Sequence, residues 1–368
     1  MKSKSSFLFG FFCIIAITST FAENPQLEIR FAPDDHVYLA QENRFIGLSD
    51  FEIQNIAVVN LSDQTIKVDE ILVEVFSKES VVNSSHYSGD LLEKNWQMLK
   101  SYFNRPGVMK EEDPRFRFKE LLGDQLILSE STTLAPKTAI LLSRQFYFVQ
   151  AVAEFVEGKP VHPIWPDRVR VSVKGLQGSQ IVIAQNDMRI VNYQPKNEYI
   201  FPVRDRWYIN ASSSVRSHHR LLPTHEFALD VIQIGADGKS YSGEGRYHSD
   251  YYAFGKEVYA MADGEVVQIY DSVPETRLRR ADESAEQYRE AVMSPLAEKG
   301  YVATGGNQIV IRHAGDEYSS YAHLKSGSIR IKKGDHVKKG EWIANVGLSG
   351  DGYQPHLHFQ ITDGPDIS

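Results

Sequence analysis

The stretch His356-Leu357-His358-Phe359-Gln360-Ile361 alternates strictly between polar and apolar residues, a pattern typical of a half-buried β-strand. On such a strand the two histidines and Gln360 share one face, while the apolar residues pack on the other. The rise of two residues separates the histidines by about 7 Å. This spacing suits one histidine as a metal ligand and the other as a catalytic neighbour.

Two further clusters carry the same chemistry. Tyr321-Ala322-His323-Leu324 alternates in the same way, which predicts that Tyr321 and His323 share a face. The segment from His225 to Asp230 supplies a third cluster, with Asp230 as its best carboxylate. Two histidines, one carboxylate and a water leave the open coordination position that zinc hydrolysis needs. The clusters therefore predict a catalytic metal site in a small β domain.

From about Trp207 to the end, the sequence resembles the lysostaphin-type (LytM-like) zinc metallopeptidases. Five motifs carry the resemblance: His225-Glu226-Phe227-Ala228-Leu229-Asp230; Phe254-Gly255-Lys256-Glu257-Val258-Tyr259-Ala260 with Asp263-Gly264; Tyr321-Ala322-His323-Leu324; Gly334-Asp335-His336-Val337; and Pro355-His356-Leu357-His358-Phe359. The resemblance implies a β-rich groove, one zinc ion and cleavage of peptide bonds, usually in peptidoglycan.

The resemblance also implies roles for single residues. By position, His225, Asp230 and His358 match the zinc ligands of the family. His323 and His356 match its two non-ligand histidines, which assist the water and the oxyanion. No further cofactor-binding residue is predicted.

The first motif departs from the family pattern, which places a histidine four residues before the aspartate. Here His225 lies five residues before Asp230, and an odd offset on a strand puts two side chains on opposite faces. A β-bulge that inserts one residue would let His225 reach the metal. Glu226, His218 and His219 are the alternative ligands, although the segment around both of these histidines and Arg216 is predicted to be a solvated loop.

The function that this implies is a secreted or periplasmic zinc metalloendopeptidase that hydrolyses peptide bonds, in peptidoglycan cross-links or in another peptide substrate. Zinc-bound water attacks the amide carbonyl in this mechanism, because zinc lowers the pKa of the water to about 7. The alternative is a degenerate, non-catalytic LytM-like module that binds cell-wall peptide or regulates a partner hydrolase. The shifted His225 motivates this alternative, and the three downstream histidines argue against it.

Composition excludes several other classes. Hydrophobic residues make up 42% and charged residues 24% of the 368 residues, which is ordinary for a soluble globular protein. The net charge of −8 offers no argument for nucleic acid as a partner. Oligomeric state is not predicted.

The pattern of the N-terminus predicts a secretory signal peptide at residues 1–22. Lys2 and Lys4 precede an apolar run from Phe7 to Ile17, which is followed by small and polar residues up to Ala22. The run is too short to span a bilayer comfortably, so no stable membrane insertion is expected after its removal. Cys13, the sole cysteine, lies inside this segment, and a metal site must therefore use histidine and carboxylate ligands.

The remainder of the chain predicts a mainly β protein of two domains. Several short alternating strands over 27–193 predict a β-sandwich of immunoglobulin-like shape, and one helix is predicted at Leu91–Tyr102. A linker at 194–206 leads to the peptidase domain at 207–368. The sandwich is expected to position the peptidase domain or to occlude its groove.

The peptidase domain contains a charged, helix-prone insertion at 271–300, in which Ala281, Ala285, Tyr288 and Val292 are predicted to share one face. A solvated surface helix and a lid over the site are both open interpretations of this insertion. Only ten residues follow His358, so the end of the chain is expected either to be cut short or to lack a closing strand.

Overall fold

A computed structural model describes residues 26–32, 35–43, 48–103, 121–123, 126–150, 154–156, 159–161, 165–212, 217, 219, 225–297 and 299–365. The predicted signal peptide, Arg216 and His218 lie outside the described residues. The described chain is mainly β, as the sequence predicts. Within these ranges, no helix is both long and apolar enough to cross a membrane.

Two sheets of mostly antiparallel strands form the N-terminal part. The first has the order β1-β4-β9-β7 with β3 beside β4, and the second has the order β2-β13-β12-β5-β6 with β8 beside β5. A hairpin of β10 and β11 is separate from both sheets. The strands are β1 Leu27–Ala32, β2 His36–Tyr38, β3 Ala40–Asn43, β4 Leu48–Asn60, β5 Ile66–Ser77, β6 Ser80–Ser88, β7 Ile127–Leu128, β8 Thr133–Leu134, β9 Thr138–Gln150, β10 Glu154–Val156, β11 Lys159–Val161, β12 Arg168–Gln177 and β13 Gln180–Val191.

The apolar faces of the two large sheets meet in one core. In β12, for example, Val169 and Val171 are fully buried, whereas Arg168 and Arg170, which alternate with them, are partly exposed, because alternate side chains point to opposite faces. Helix α1, Gly89–Phe103, confirms the predicted helix and adds the buried Trp96 to this core. The two-sheet arrangement agrees with the predicted sandwich, and the immunoglobulin-like shape stays a prediction.

The C-terminal part is built on a sheet of seven strands in the order β14-β15-β22-β19-β18-β17-β20. A second core, which includes Val231, Tyr321, Leu357 and Phe359, packs on one face of this sheet. A two-stranded sheet of β16 and β21 contributes Val258 and Ile343 to the same core. The strands are β14 Tyr208–Ala211, β15 Leu229–Ile232, β16 Glu257–Tyr259, β17 Gly264–Tyr270, β18 Asn307–Arg312, β19 Tyr318–Leu324, β20 His336–Val337, β21 Trp342–Asn345 and β22 Leu357–Thr362.

The insertion is helical only in its second half, which corrects the predicted face. Helical segments of the insertion run over Ala285–Tyr288, Arg289–Met293 as a π-helix, and Ser294–Ala297, and a further helix at Tyr301–Gly305 follows the insertion. Ser284 caps the first of them by accepting a hydrogen bond from the backbone of Gln287, so helix begins only at Ala285. Ala281 therefore lies outside the helix and does not share a helical face with Tyr288.

Glu317 fixes the predicted linker to the C-terminal sheet. Its carboxylate is buried and accepts hydrogen bonds from the Tyr193 hydroxyl, the Lys196 backbone N–H, the Asn197 side-chain amide and the Tyr199 hydroxyl. Burial opposes the charged form, but these donors outweigh it and lower the pKa of Glu317 to about 2.

We expect Glu317→Gln to destabilise the folded chain by about 3 kcal/mol at neutral pH, since charge-assisted hydrogen bonds are lost. A folded-state pKa below the unfolded value stabilises the protein above the unfolded pKa, and this stabilisation disappears as the pH falls through the folded value. The difference between wild type and variant should therefore be full above about pH 5 and vanish toward pH 2.

Thermal unfolding between pH 2 and pH 7 measures this prediction. Glu198→Gln is the matched control, because Glu198 lies in the same segment with a side chain that is 95% exposed. A pH-independent difference between Glu317→Gln and wild type would contradict the assignment.

Candidate metal centre

Neighbouring strands bring the predicted carboxylate and one predicted histidine together. Asp230 on β15 pairs directly with His358 on β22, and Ala322 on β19 pairs with His358 from the other side. Directly paired residues project from the same face of a sheet. Because Leu357 and Phe359 belong to the core, His358 and Asp230 lie on the opposite face.

Three potential ligand atoms converge on this face. Asp230 Oδ1 lies 2.9 Å from His358 Nδ1, and Asp230 Oδ2 lies 3.1 Å from His219 Nε2. Ligand atoms of these three residues all lie within 4.8 Å of one another, and all three side chains are buried. Two imidazoles and a carboxylate are a donor set that suits zinc and leaves one coordination position open.

Two contacts fix the orientation of the His219 ring. Its Nδ1 lies 3.0 Å from the carbonyl oxygen of Ala228, so Nδ1 carries the proton and donates it to that oxygen. Its Nε2 lies 3.1 Å from Oδ2 of the Asp230 carboxylate. A backbone carbonyl that fixes the ring in this way is a common partner of metal-bound histidine.

The charges in the site match the ligand forms that a divalent metal requires. Burial opposes ionisation of Asp230, but the surrounding His356, His219 and His358 outweigh it and hold its pKa well below the usual value. Burial lowers the pKa of His358, although its hydrogen bond to Asp230 opposes this. Metal binding needs an ionised carboxylate and neutral imidazoles, and these shifts favour both.

His225 lies beside the centre rather than in the close set of ligand atoms. Its ring centroid is 4.8 Å from that of His358 and 5.8 Å from that of His219. Burial and the neighbouring His358 lower its pKa well below the usual value. The predicted role of His225 as a ligand stays a prediction.

The path by which His225 approaches differs from the predicted β-bulge. The chain makes a turn in which the Ala228 N–H donates to the His225 carbonyl, and β15 begins only at Leu229. The extra residue between His225 and Asp230 therefore lies in this turn, before the strand begins. The predicted solvated loop is wrong for His219, which is 2% exposed because its ring packs against Asp230 and Ala228.

The predicted catalytic pair, His323 and His356, lies next to this centre. Their ring centroids are 4.5 Å apart, and His356 Nε2 lies 3.8 Å from Asp230 Oδ1. His323 Nδ1 donates to the Ser349 carbonyl and His356 Nδ1 to the Gln354 carbonyl, both at 2.9 Å. Each ring therefore keeps its Nε2 as an acceptor when neutral.

The predicted shared face of Tyr321 and His323 is wrong. Tyr321 is buried in the core, where its hydroxyl accepts from the Met261 N–H, whereas His323 lies with the other site histidines. The reason is the backbone of His323, whose φ is +58° and breaks the alternation of the strand end. Non-glycine residues rarely adopt this conformation, and such strain is frequent at functional sites.

The sequence analysis missed the side chains that support His323. Ser349 accepts the Asn307 N–H at 2.9 Å and donates to the Leu324 carbonyl at 2.6 Å, while its own carbonyl accepts from His323. Asn307 in turn exchanges two hydrogen bonds with the backbone of Val273. The signal that marks this loop is its glycine content, with Gly347, Gly350 and Gly352 shortly before His356.

The insertion packs on the loop that leads to His356. The buried Tyr288 donates its hydroxyl to the Gly352 carbonyl at 3.0 Å, and the Thr276 hydroxyl donates to the Gly350 carbonyl at 2.6 Å. The Asp351 N–H donates to the carbonyl of Thr304, which lies in the helix that follows the insertion. The insertion therefore helps to fix the loop that borders the candidate site.

Comparison with known proteins agrees with this geometry. The family described as Peptidase family M23 matches residues 291–366, which include His323, His356 and His358. This match supports the resemblance of the C-terminal part to LytM-like peptidases over these residues.

Two relatives match short stretches of the chain. The cell division protein DipM of Caulobacter vibrioides is 35% identical over 66 residues, 18% of this chain and 10% of DipM. The peptidoglycan DD-endopeptidase ShyB of Vibrio cholerae is 43% identical over 56 residues, 15% of this chain and 13% of ShyB. The catalytic domain of lysostaphin from Staphylococcus simulans aligns with a TM-score of 0.24 at 20% identity, over 43% of this chain and 79% of that domain.

Proposed function

We propose that the chain is an exported zinc metalloendopeptidase that hydrolyses peptide bonds in peptidoglycan. The observation that carries this proposal is the convergence of His219, Asp230 and His358, with ligand atoms within 4.8 Å of one another. The family match at 291–366 supports peptidase activity, and ShyB, which is named for peptidoglycan, supports the substrate class. The signal peptide predicted at 1–22 supports export.

The geometry favours His219, rather than His225, as the first metal ligand. His219 presents a fixed Nε2 to Asp230, whereas His225 approaches from the side of His358. A zinc ion held by these three residues supplies a Lewis acid that polarises a carbonyl and lowers the pKa of a water molecule. His225 then packs against the ligands and excludes water from them.

His323 and His356 move protons in this proposal. The Nε2 of His323 accepts a proton from the attacking water, because its Nδ1 proton is already donated to Ser349. His356 is 12% exposed, and its Nε2 donates a hydrogen bond to the developing oxyanion or passes a proton to the leaving amine. Stabilisation of the oxyanion is usually the largest contribution to acyl-transfer catalysis.

The test combines metal content with hydrolysis by the mature chain from Glu23 onward. We expect about one zinc per chain by elemental analysis after dialysis, and new amino termini released from purified peptidoglycan. Retention of no zinc, together with no released amino termini, would refute the proposal and favour the non-catalytic binding module.

Gly352 sets the position of His356 and offers a further prediction. A Cβ atom at Gly352 would lie 2.9 Å from Cε1 of His356 and 2.9 Å from Cδ1 of Leu348, so the imidazole must shift. We expect Gly352→Ala to lower kcat about 10- to 100-fold with zinc content unchanged, since small displacements of catalytic groups are costly.

Gly364→Ala is the matched control, because a Cβ there meets no atom within 4 Å. Steady-state kinetics and zinc analysis of both variants measure the effect. Equal kcat for Gly352→Ala and wild type would show that this contact does not position His356.

A further inference from the structure

A cavity of about 420 Å³ lies between the N-terminal sheets and the C-terminal sheet. The N-terminal part contributes Asp35, Tyr38 and Gln54 to its lining, and the C-terminal part contributes Phe227, Gln360 and Asp363. The Tyr38 hydroxyl donates to Asp363 Oδ2 at 2.6 Å, and the Tyr38 ring lies 6.1 Å from the Phe227 ring. Residues from both parts of the chain therefore contact each other and line the cavity together.

Gln54 is the unusual member of this wall. Its side chain is 6% exposed, yet neither Nε2 nor Oε1 has a hydrogen-bond partner among the residues that the structure describes. A buried amide without partners costs about 1–3 kcal/mol for each unsatisfied group, so it calls for a ligand. A carboxamide pairs with a peptide group, because it offers one donor and one acceptor side by side.

The charged groups of the cavity are mostly acidic. Asp363 keeps 63% of its side chain exposed while it accepts from Tyr38, and Asp35 is 58% exposed beside His36. Glu226 and Glu317 also line the cavity, and His36 is its one basic side chain among the described residues. Carboxylates and aromatic rings together favour a ligand with an ammonium group.

The cavity adjoins the candidate metal centre. Gln360 follows His358 by two residues on β22, which places it on the same face about 7 Å further along the strand. Phe227 lies in the turn between His225 and Asp230. A peptide bound across the centre therefore has room for one of its residues in the cavity.

We propose that this cavity binds a peptide residue with a side-chain ammonium group, with Gln54 on its amide and Asp363 on the ammonium. This inference rests on the proposed peptidase function, since it assigns the cavity to the same substrate. The N-terminal part thereby becomes a wall of the substrate site and selects peptides that carry a diamino acid.

The experiment measures binding to the full mature chain after removal of metal with a chelator. The probe is Nα-acetyl-lysine methylamide, compared with Nα-acetyl-norleucine methylamide, in a ligand-observed NMR titration. On wild type, we expect the norleucine probe to bind at least about 10-fold more weakly than the lysine probe. On Asp363→Asn, we expect the lysine probe to bind at least about 10-fold more weakly than it does on wild type. Gln54→Leu should weaken lysine-probe binding by a similar factor without lowering the unfolding temperature, because an unpaired buried amide contributes nothing to stability.

Gln180→Leu, on an exposed hairpin position of the same part, is the matched control and should bind as wild type. Absence of saturable binding, equal binding of the two probes, or unchanged binding by Gln54→Leu and Asp363→Asn would each overturn the proposal. Probe binding by a chain that retains no zinc and cuts no peptide would refute the peptidase function alone. Peptide hydrolysis without probe binding would refute the cavity proposal alone.

Discussion

Replacing His219 or His358 with alanine is expected to remove bound zinc and to lower peptide hydrolysis by at least about 10³-fold. Each residue offers a buried ring nitrogen to Asp230, at 3.1 Å for His219 and 2.9 Å for His358. Loss of one ligand leaves only two, too few to hold a catalytic metal. A metal ion supplies several kcal/mol of transition-state stabilisation, and each 1.36 kcal/mol is a factor of ten in rate.

Elemental analysis and steady-state hydrolysis of the two variants measure this effect. His225→Ala distinguishes the two candidates for the first ligand, because its ring lies beside the ligand atoms and should be dispensable for zinc. His336→Ala, an exposed histidine on β20, is the matched control. Full zinc in His219→Ala together with loss of zinc in His225→Ala would restore the ligand assignment that the sequence pattern predicts.

His356→Ala and His323→Ala are expected to keep the zinc and to lose about 10²- to 10⁴-fold in kcat. This is the range that general acid and base groups contribute. Neither ring contributes one of the three ligand atoms that lie within 4.8 Å of one another. His356 Nε2 lies 3.8 Å from Asp230 Oδ1, and the ring centroid of His323 lies 5.9 Å from that of His358. The split between retained metal and lost turnover separates a proton-transfer role from a ligand role.

The pH dependence of kcat/KM in these variants gives a second readout. Loss of one limb of the profile is expected when a proton-transfer group is removed. Unchanged turnover by His356→Ala on peptidoglycan would refute the role assigned to that residue. Loss of zinc by either variant would instead place that histidine among the ligands.

Local patterns in the sequence identified much of the site. Strict alternation over 356–361 predicted β22 with His358 on the polar face, because the period of two is a local property of a strand. The same reasoning and the family resemblance selected Asp230, His323 and His356, which the structure brings to one place. The domain boundaries and the roles of these residues stay predictions.

Periodicity failed where the chain leaves regular strand geometry. His323 has a positive φ, so its side chain joins the other histidines of the candidate site although the count from Tyr321 assigns it to the opposite face. His219 lies eleven residues before Asp230 in a segment without a periodic pattern. The family resemblance selected His225 as the ligand although its odd offset from Asp230 did not favour it, and this assignment stays a prediction.

The sequence alone determined which residue types are available and which faces of its strands are polar. Only the tertiary structure decided which of these side chains meet, since the pairing of β15 with β22 joins segments more than a hundred residues apart and β19 lies on the other side of β22. The cavity beside Gln54 has the same origin, because its two walls come from opposite ends of the chain. Both the strand pairing and the cavity depend on packing between distant segments, and no local pattern encodes that packing.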